Sequence, residues 1–230
     1  MKKILIINTN RNHFPLPVIP IGTCMTAQAA EEAGYQVNFL DLTFDKDPLR
    51  RVYEQVSAFE PHFVGLSIRN IDNHNIQDPY SFAAELKAIM QIITTESPAP
   101  VIIGGAAVCI MPEELLKLTG ADWAVTGDGE TIFPVLIRKL SNDENPKEVP
   151  GVAWLEEGRL QSSSPAVPFQ KGCWSPDYPR WIETKEYLQR LASIPLQTKL
   201  GCHFQCVYCT YRKIDGGPYC LSDPAQVASV

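Results

Sequence analysis

The stretch VIIGGAAVCIMPEELLKLTGADWAVTGDGE, Val101 to Glu130, decides the fold class. A short apolar run leads into a Gly-Gly pair, and Pro112 with two glutamates behind it is typical of a helix start. A second apolar run, Trp123 to Val125, follows that helix. Strand, helix and strand in this order predict a β-α-β unit with parallel strands.

The same alternation extends outward over residues 1–140 and predicts a doubly wound α/β sheet, flavodoxin-like or Rossmann-like, with helices on both faces. Gly34 follows the first helical segment as a C-terminal cap would. Asp-Pro pairs at Asp47-Pro48 and Asp78-Pro79 predict the starts of two further helices. The predicted strands are Ile4 to Ile7, Val37 to Leu40, Phe63 to Ser67, Val101 to Ile103 and Trp123 to Val125.

In such sheets, ligands bind beyond the carboxyl ends of the strands, so the loops there are the candidate site. Glycines let backbone approach a ligand closely, a strand-end serine offers a hydroxyl, and a helix N-terminus attracts a polar tail. Each loop alone also fits an ordinary tight turn. The candidate cofactor-binding residues are Ser67, Gly104, Gly105, Gly127, Gly129 and Glu130.

Beyond residue 140 the sequence changes character. GVAWLEEGRL, Gly151 to Leu160, predicts a small hairpin, and prolines at 165, 168, 176 and 179 predict a linker. Glu183 to Leu191 fits a short helix, and Pro195 to Leu200 an extended segment. The predicted organisation is therefore an α/β domain at 1–140, a hairpin and Pro-rich linker at 141–194, and a further domain starting at 195.

Composition restricts the partners. The net charge is -6 with no run of lysine or arginine, which does not favour nucleic acid. The only early apolar run, Ile4 to Ile7, is too short for a signal peptide or a membrane span. Seven cysteines without a disulfide-framework spacing fit a reducing compartment, so we expect a cytoplasmic protein without a membrane partner.

Three of those cysteines, Cys202, Cys206 and Cys209, have the spacing C-x3-C-x2-C within one loop. This spacing suits three corners of a cubane iron-sulfur cluster and would leave one iron open. On spacing alone two alternatives stay open: structural zinc bound with the help of His203 and Cys220, and a thiol redox pair of Cys206 and Cys209.

GCHFQCVYC, Gly201 to Cys209, resembles the cluster-binding signature of the radical S-adenosylmethionine (radical SAM) superfamily. Four upstream stretches resemble, in order and spacing, the cobalamin-binding domain of one large branch of that superfamily. They are PHFVGLSIRN from Pro61, VIIGGAAVCIMPEELL from Val101, ADWAVTGDGETIFPVL from Ala121 and VPGVAWLEEGRL from Val149.

This resemblance implies that the three cysteines bind a 4Fe-4S cluster whose open iron chelates S-adenosylmethionine. Tyr208 would contact its adenine, although a tyrosine packed under the loop fits the sequence as well. The six loop residues named above would hold cobalamin. An external electron donor and a small-molecule or peptide substrate are the implied partners.

Two departures from the family follow. The D-x-H-x-x-G pattern that supplies an axial histidine is absent, so His13 is interpreted as a solvated loop residue and no histidine is expected on cobalt. The residues after Pro195 are too few for a radical SAM barrel and contain only its first strand, the cluster loop and the start of a helix from Pro224 to Val230. We therefore expect an N-terminal portion that is inactive alone, with no catalytic residue assigned.

The leading hypothesis is the N-terminal part of a cobalamin-dependent radical SAM enzyme, methyl transfer to an unactivated carbon or to phosphorus being the commonest chemistry in that branch. Radical rearrangement or cyclisation is the alternative enzyme class. A cobalamin- or nucleotide-binding module with a structural metal loop and no catalysis is the second class. A transfer-RNA methylthiotransferase ranks last, because Cys24, Cys109 and Cys173 lack that family's spacing.

Overall fold

The computed structural model describes residues 1–166 and 175–228. Its main sheet has the strand order β2-β1-β3-β4-β5-β6-β7. Strands β1 to β5 are parallel to one another, β6 pairs antiparallel with β5, and β7 pairs antiparallel with β6. The strands are β1 Lys3–Asn8, β2 Gln36–Asp41, β3 Phe63–Ser67, β4 Val101–Gly104, β5 Trp123–Val125, β6 Val152–Glu156 and β7 Arg159–Ser162. The flavodoxin-like order predicted for the first five strands is confirmed.

Helices cover both faces of the sheet. Those within the first part of the chain are α1 Ile21–Glu32, α2 Pro48–Phe59, α3 Ala83–Glu96, α4 Ala106–Ile110, α5 Pro112–Thr119 and α6 Gly129–Ser141. The α1 and α6 helices pack against each other on one face, and α2 and α3 pack against each other on the other.

The central strand β1 shows why the sheet is buried on both faces. Its residues from Ile4 to Ile7 are almost completely buried, and they alternate between two core clusters. Leu5 and Ile7 pack with the α2 and α3 side, whereas Ile4 and Ile6 pack with the α1 and α6 side. A continuous apolar run of this kind is what a parallel strand between two helix layers requires.

The start predicted at Asp78-Pro79 is wrong. The α3 helix begins at Ala83, and residues 72–81 instead form a closed loop bounded by a bridge between Asp72 and Ser81. Within this loop the Asp78 carbonyl accepts a hydrogen bond from Asn73 Nδ2 at 2.7 Å. By contrast, the start at Asp47 is confirmed, because its carboxylate accepts a hydrogen bond from the Arg50 backbone N–H at 3.2 Å.

The predicted hairpin is confirmed as β6 and β7, and it continues the main sheet through antiparallel pairing of β6 with β5. Pro168 and Cys173 lie outside the described residues. The domain boundaries at 140 and 194 stay predictions.

From residue 175 onward the described part of the predicted linker is packed rather than free. It contains the helices α7 Tyr178–Trp181 and α8 Thr184–Gln189, the second of which was predicted. The side chains of Tyr178, Trp181, Ile182 and Tyr187 are buried in the same cluster as α1 and α6. Burial of these large side chains orders the segment, although the prolines and serines around them favour a linker.

The final part forms a small two-stranded sheet of β8 Lys199–Leu200 and β9 Cys220–Leu221. Between these strands lies the loop with the three cysteines, followed by α9 Tyr211–Ile214. The predicted last helix is present as α10 Pro224–Ala228, and Ser229 and Val230 lie outside the described residues. Within the described residues no helix is long and apolar enough to span a bilayer.

Candidate cofactor-binding site

A cavity of about 370 Å³ opens at the carboxyl ends of β1, β3, β4 and β5. All six cofactor-binding residues predicted from the sequence line it: Ser67, Gly104, Gly105, Gly127, Gly129 and Glu130. Its volume falls within the range of ordinary small-molecule sites, about 300–1,000 Å³. The structure therefore brings together in one place four loops that are far apart in sequence.

Apolar side chains line the part of the cavity between the sheet and α6. Gly65 lets the Phe133 ring of α6 lie directly against β3, because a Cβ at that position would lie only 3.2 Å from Cζ of Phe133. Ile6, Ile102, Val125 and Phe133 all contribute to the lining. This part of the lining is suited to an apolar group.

Helix α1 forms a second wall that the sequence analysis did not predict. Its Thr23 hydroxyl donates a hydrogen bond to Ser67 Oγ at 2.7 Å, and both residues line the cavity. Thr26 packs so closely against Gly129 that a Cβ there would lie 2.5 Å from Thr26 Oγ1. The signal in the sequence was the set of small residues Gly22, Thr23 and Thr26, which allow α1 to approach the α6 loop.

Gly105 fixes the turn between β4 and α4. Its φ of +101° and ψ of 175° define a region that is essentially restricted to glycine. A Cβ at this position would lie 2.8 Å from the Ile68 carbonyl oxygen, which accepts the Ala107 N–H at 3.2 Å. The absence of a side chain is thus required for the turn itself, and the close backbone contact joins two of the cavity loops.

The N-termini of α1 and α6 both face the cavity, through Ile21, Gly22, Gly129 and Glu130. Neither helix has a side-chain cap hydrogen bond at this end. Uncapped N–H groups and the positive end of the helix dipole favour an anionic group such as a phosphodiester.

Residues 195–215 enclose the cavity from outside and are here called the outer wall. It contributes Pro195, Gln197, Leu200, Tyr211, Ile214 and Asp215 to the lining. Helix α9 within it packs against α4, which carries Cys109. The cavity is therefore enclosed from two distant parts of the chain.

Acidic groups at the cavity have perturbed protonation equilibria. Burial, reinforced by the nearby carboxylates of Asp128 and Asp215, raises the pKa of Glu130 to about 7. Burial and the Asp128 charge also raise the pKa of Asp215. Burial, and then the same two carboxylates, raise the pKa of the Cys109 thiol to about 11, so this thiol is mostly protonated at neutral pH and reacts slowly with electrophiles.

His13 does not line the cavity. It is an exposed residue whose Nε2 lies 2.7 Å from the Thr43 carbonyl oxygen, and its ring packs on Phe44 at 5.3 Å. His13 is therefore an exposed loop residue, and the expectation that no histidine binds cobalt stays a prediction.

The cysteines predicted to bind the cluster lie on one exposed loop. Cys206 and Cys209 are exposed and Cys202 is half-buried. Throughout residues 1–166 and 175–228, no three His, Cys, Asp or Glu side chains are gathered as a metal site, so neither the cluster ligands nor the zinc alternative are assembled. Tyr208 is 87% exposed, which is contrary to the alternative of a core tyrosine.

The family model for the B12-binding domain matches residues 7–137, the part of the chain that contains the six predicted residues. The chain belongs to the B12-binding domain family. The fold class and the resemblance stated from the sequence are both confirmed.

Two proteins similar to this B12-binding domain chain are methyltransferases by name. Tryptophan 2-C-methyltransferase of Streptomyces laurentii is 30% identical over 147 residues, which are 64% of this chain and 24% of that protein. Cytidylyl-2-hydroxyethylphosphonate methyltransferase of Streptomyces wedmorensis is 23% identical over 91% of this chain and 48% of its own length.

Among solved structures, the radical SAM methyltransferase TsrM from Kitasatospora setae, with cobalamin and a [4Fe-4S] cluster bound, superposes with a TM-score of 0.88. It is 26% identical and covers 100% of this chain and 45% of its own. The cobalamin-dependent radical enzyme OxsB has a TM-score of 0.76 at 17% identity, which shows a shared fold, over 31% of its length. The chain thus spans less than half the length of these relatives.

The lining of the cavity is chemically suited to parts of cobalamin. Cobalamin has an amide-bearing corrin ring, a phosphodiester and an aromatic base on its nucleotide tail. The glycines at 104, 105, 127 and 129 present backbone without side chains to the lining, and Ile6, Ile102 and Val125 add apolar surface to it. The N-terminus of α1 suits the phosphodiester.

Proposed function

We propose that this chain holds cobalamin in the cavity described above. We further propose that it is the N-terminal portion of a cobalamin-dependent radical SAM enzyme. The observation that carries the proposal is that all six predicted residues line one cavity at the carboxyl edge of a B12-binding domain sheet. The TsrM structure, which contains both cobalamin and a [4Fe-4S] cluster, supports the wider assignment.

Particular residues would hold the cofactor. Gly104, Gly105, Gly127 and Gly129 allow it to lie against bare backbone, and Ser67 offers a hydroxyl whose orientation Thr23 fixes. Protonated at neutral pH for part of the time, Glu130 can either donate to or accept from a corrin amide. Bound cobalamin would supply a cobalt centre that can carry a methyl group.

The protein residues set the conditions around that centre. Since His13 is held by the Thr43 carbonyl and is not among the lining residues of the cavity, this loop histidine would not help to hold the cofactor. The outer wall, with Leu200 and Ile214, would limit the access of water to the bound ring.

We further propose that Cys202, Cys206 and Cys209 bind a 4Fe-4S cluster that cleaves S-adenosylmethionine, with Tyr208 beside the adenine. The exposure of Cys206, Cys209 and Tyr208 leaves these side chains accessible to both cofactors. The loop that carries the cysteines lies between β8 and α9, both of which contribute to the outer wall. This arrangement would place the cluster on the outer wall, next to the cobalamin in the cavity.

Methyl transfer to an unactivated atom of a small-molecule or peptide substrate, with an external electron donor, is the proposed overall activity. It rests on the similarity to the two methyltransferases named above. Cytoplasmic location is proposed with it, since the cluster requires reduced thiols.

The test is anaerobic reconstitution with iron and sulfide, followed by iron quantitation and by visible spectra before and after hydroxocobalamin is added and the excess removed. We expect about four irons per chain and retained corrin absorbance. The variant with Cys202, Cys206 and Cys209 all changed to Ala should lose the iron and keep the corrin. Cys220→Ala is the matched control and should keep both.

Other outcomes would contradict the proposal. Zinc without iron, together with no retained corrin, would leave a sheet with a structural metal loop. Retained corrin without iron in the unsubstituted chain would support the non-catalytic binding module.

A further inference from the structure

A buried polar network connects the end of β2 with helix α8. The Asp41 carboxylate accepts hydrogen bonds from the side chains of Asn8 at 2.8 Å, Thr43 at 2.7 Å and Tyr187 at 2.7 Å. The Tyr187 hydroxyl also lies 2.8 Å from Thr43 Oγ1. Asn8 belongs to the cavity lining, so the network extends from the cofactor site to α8.

Tyr187 is the most distant member in sequence and one of the most buried. Only 1% of its surface is exposed, and its ring packs edge-on against Phe44 at 4.7 Å. Arg190, just after α8, covers the other part of Phe44, with the guanidinium 4.4 Å from the ring centroid. These contacts fix α8 at the carboxyl edge of the sheet, beside the cavity.

Helix α8 leads directly into the outer wall. Ala192 follows it as a buried residue, and its N–H donates to the Tyr187 carbonyl at 3.1 Å. The wall begins at Pro195, whose carbonyl oxygen accepts a hydrogen bond from the Tyr178 hydroxyl at 2.7 Å. The position of the wall is therefore determined by the segment that Tyr187 and Tyr178 anchor.

We propose that Tyr187, through its hydrogen bond to Asp41, is a positioning residue that holds the outer wall against the cofactor cavity and thereby determines corrinoid affinity. The proposal rests on the proposed function, since the ligand is cobalamin. Neither Tyr187 nor Asp41 contacts the ligand in this scheme. Tyr187 acts through its hydrogen bond to Asp41 and through the chain that follows α8.

The physical reason is a conformational equilibrium. A hydrogen bond to a charged group is stronger than one between neutral groups, and removing its donor leaves a carboxylate oxygen with one partner fewer. If the wall is in place for only a fraction of the time, apparent affinity falls by that fraction.

The first experiment compares hydroxocobalamin affinity by equilibrium dialysis in the full chain. Tyr187→Phe keeps the ring packing and removes only the hydroxyl, and we expect about tenfold weaker binding. The control is Tyr53→Phe, on an exposed position of α2, which should bind as the unsubstituted chain does. Equal affinity in the Tyr187→Phe chain would overturn the proposal.

The second experiment uses Cys109 as a reporter of the wall. This thiol lines the cavity on α4, against which α9 packs, whereas Cys24 is completely buried in the core. Labelling with a maleimide, with sites identified by mass spectrometry, should proceed several-fold faster at Cys109 in the Tyr187→Phe chain, without a change at Cys24. A general loss of stability would accelerate both sites together and would overturn the positioning role.

The two proposals fail in different ways. If the unsubstituted chain retains no cobalamin, the proposed function is wrong, and the Cys109 labelling still decides whether Tyr187 holds the wall. If the unsubstituted chain binds cobalamin and Tyr187→Phe changes neither affinity nor labelling, only the positioning role is wrong.

Discussion

Gly105 shows how one residue can determine the shape of the cofactor site. We predict that Gly105→Ala lowers the free energy of unfolding by about 2 kcal/mol or more, because its backbone lies in a glycine-only region and its Cβ would meet the Ile68 carbonyl. Chemical denaturation monitored by circular dichroism measures the change.

Its neighbour provides the control for that substitution. At Gly104 a Cβ would find its nearest atom, Val125 Cβ, at 3.7 Å, which is an ordinary contact. Gly104→Ala should therefore leave unfolding stability within about 0.5 kcal/mol of the unsubstituted chain. Equal destabilisation by both substitutions would contradict the argument from backbone conformation.

Glu130 makes stability depend on pH. Because burial raises its pKa from 4.5 to about 7, the folded chain retains a proton that the unfolded chain releases between these values. The stabilisation is complete below pH 4.5 and is lost as the pH rises through about 7, with an upper limit of about 3 kcal/mol. Glu130→Gln should flatten the fall in unfolding free energy measured between pH 5 and 8.

An exposed glutamate provides the comparison. Glu114 lies on the solvent side of α5, and Glu114→Gln should preserve the pH dependence of the unsubstituted chain. If Glu130→Gln also preserves the pH dependence, another buried group is responsible for it. Asp215 is the first candidate, because burial raises its pKa as well.

At the scale of elements, helix α2 has a cap whose contribution can be measured. Asp47→Ala removes the acceptor for the Arg50 N–H and should lower the unfolding free energy by about 1 kcal/mol. Asp78→Ala is the matched control, since the same Asp-Pro pair occurs there in an exposed loop. Thermal unfolding of both variants would show whether the cap accounts for the difference.

These two Asp-Pro pairs also show where prediction from the sequence ends. The pattern predicted both starts, but the hydrogen bonds of Asn73 with Asp78 and Tyr80 close a loop that local propensity does not reveal. The five parallel strands were predictable, because each is an apolar run that two helix layers must bury. The contribution of α1 was not, since the Thr23 contact with Ser67 depends on two segments 44 positions apart.

At the scale of the whole molecule, ligand binding should stabilise the fold by mass action. With free hydroxocobalamin at a hundred times its Kd, the free energy of unfolding should rise by about 2.7 kcal/mol. Differential scanning calorimetry at several ligand concentrations measures this, and a melting temperature independent of concentration would contradict binding to the folded state.

The segment from residue 175 to 194 shows the limit of composition as a guide. Its prolines and serines favour a linker, yet Trp181, Ile182 and Tyr187 are buried against α1 and the end of β2. Their burial depends on a surface that exists only after the sheet has formed. The six loop residues of the site were predictable for the opposite reason, because strand order alone brings them to one edge.

The hairpin of β6 and β7 has a consequence for behaviour in concentrated solution. Without it, β5 would present the unpaired N–H and C=O groups of an apolar strand, Trp123–Val125, to neighbouring molecules. Such an edge recruits strands from other chains and promotes aggregation. The hairpin replaces it with a short outer strand, RLQS from Arg159, whose polar side chains are mostly exposed, and so discourages intermolecular sheet extension on that side.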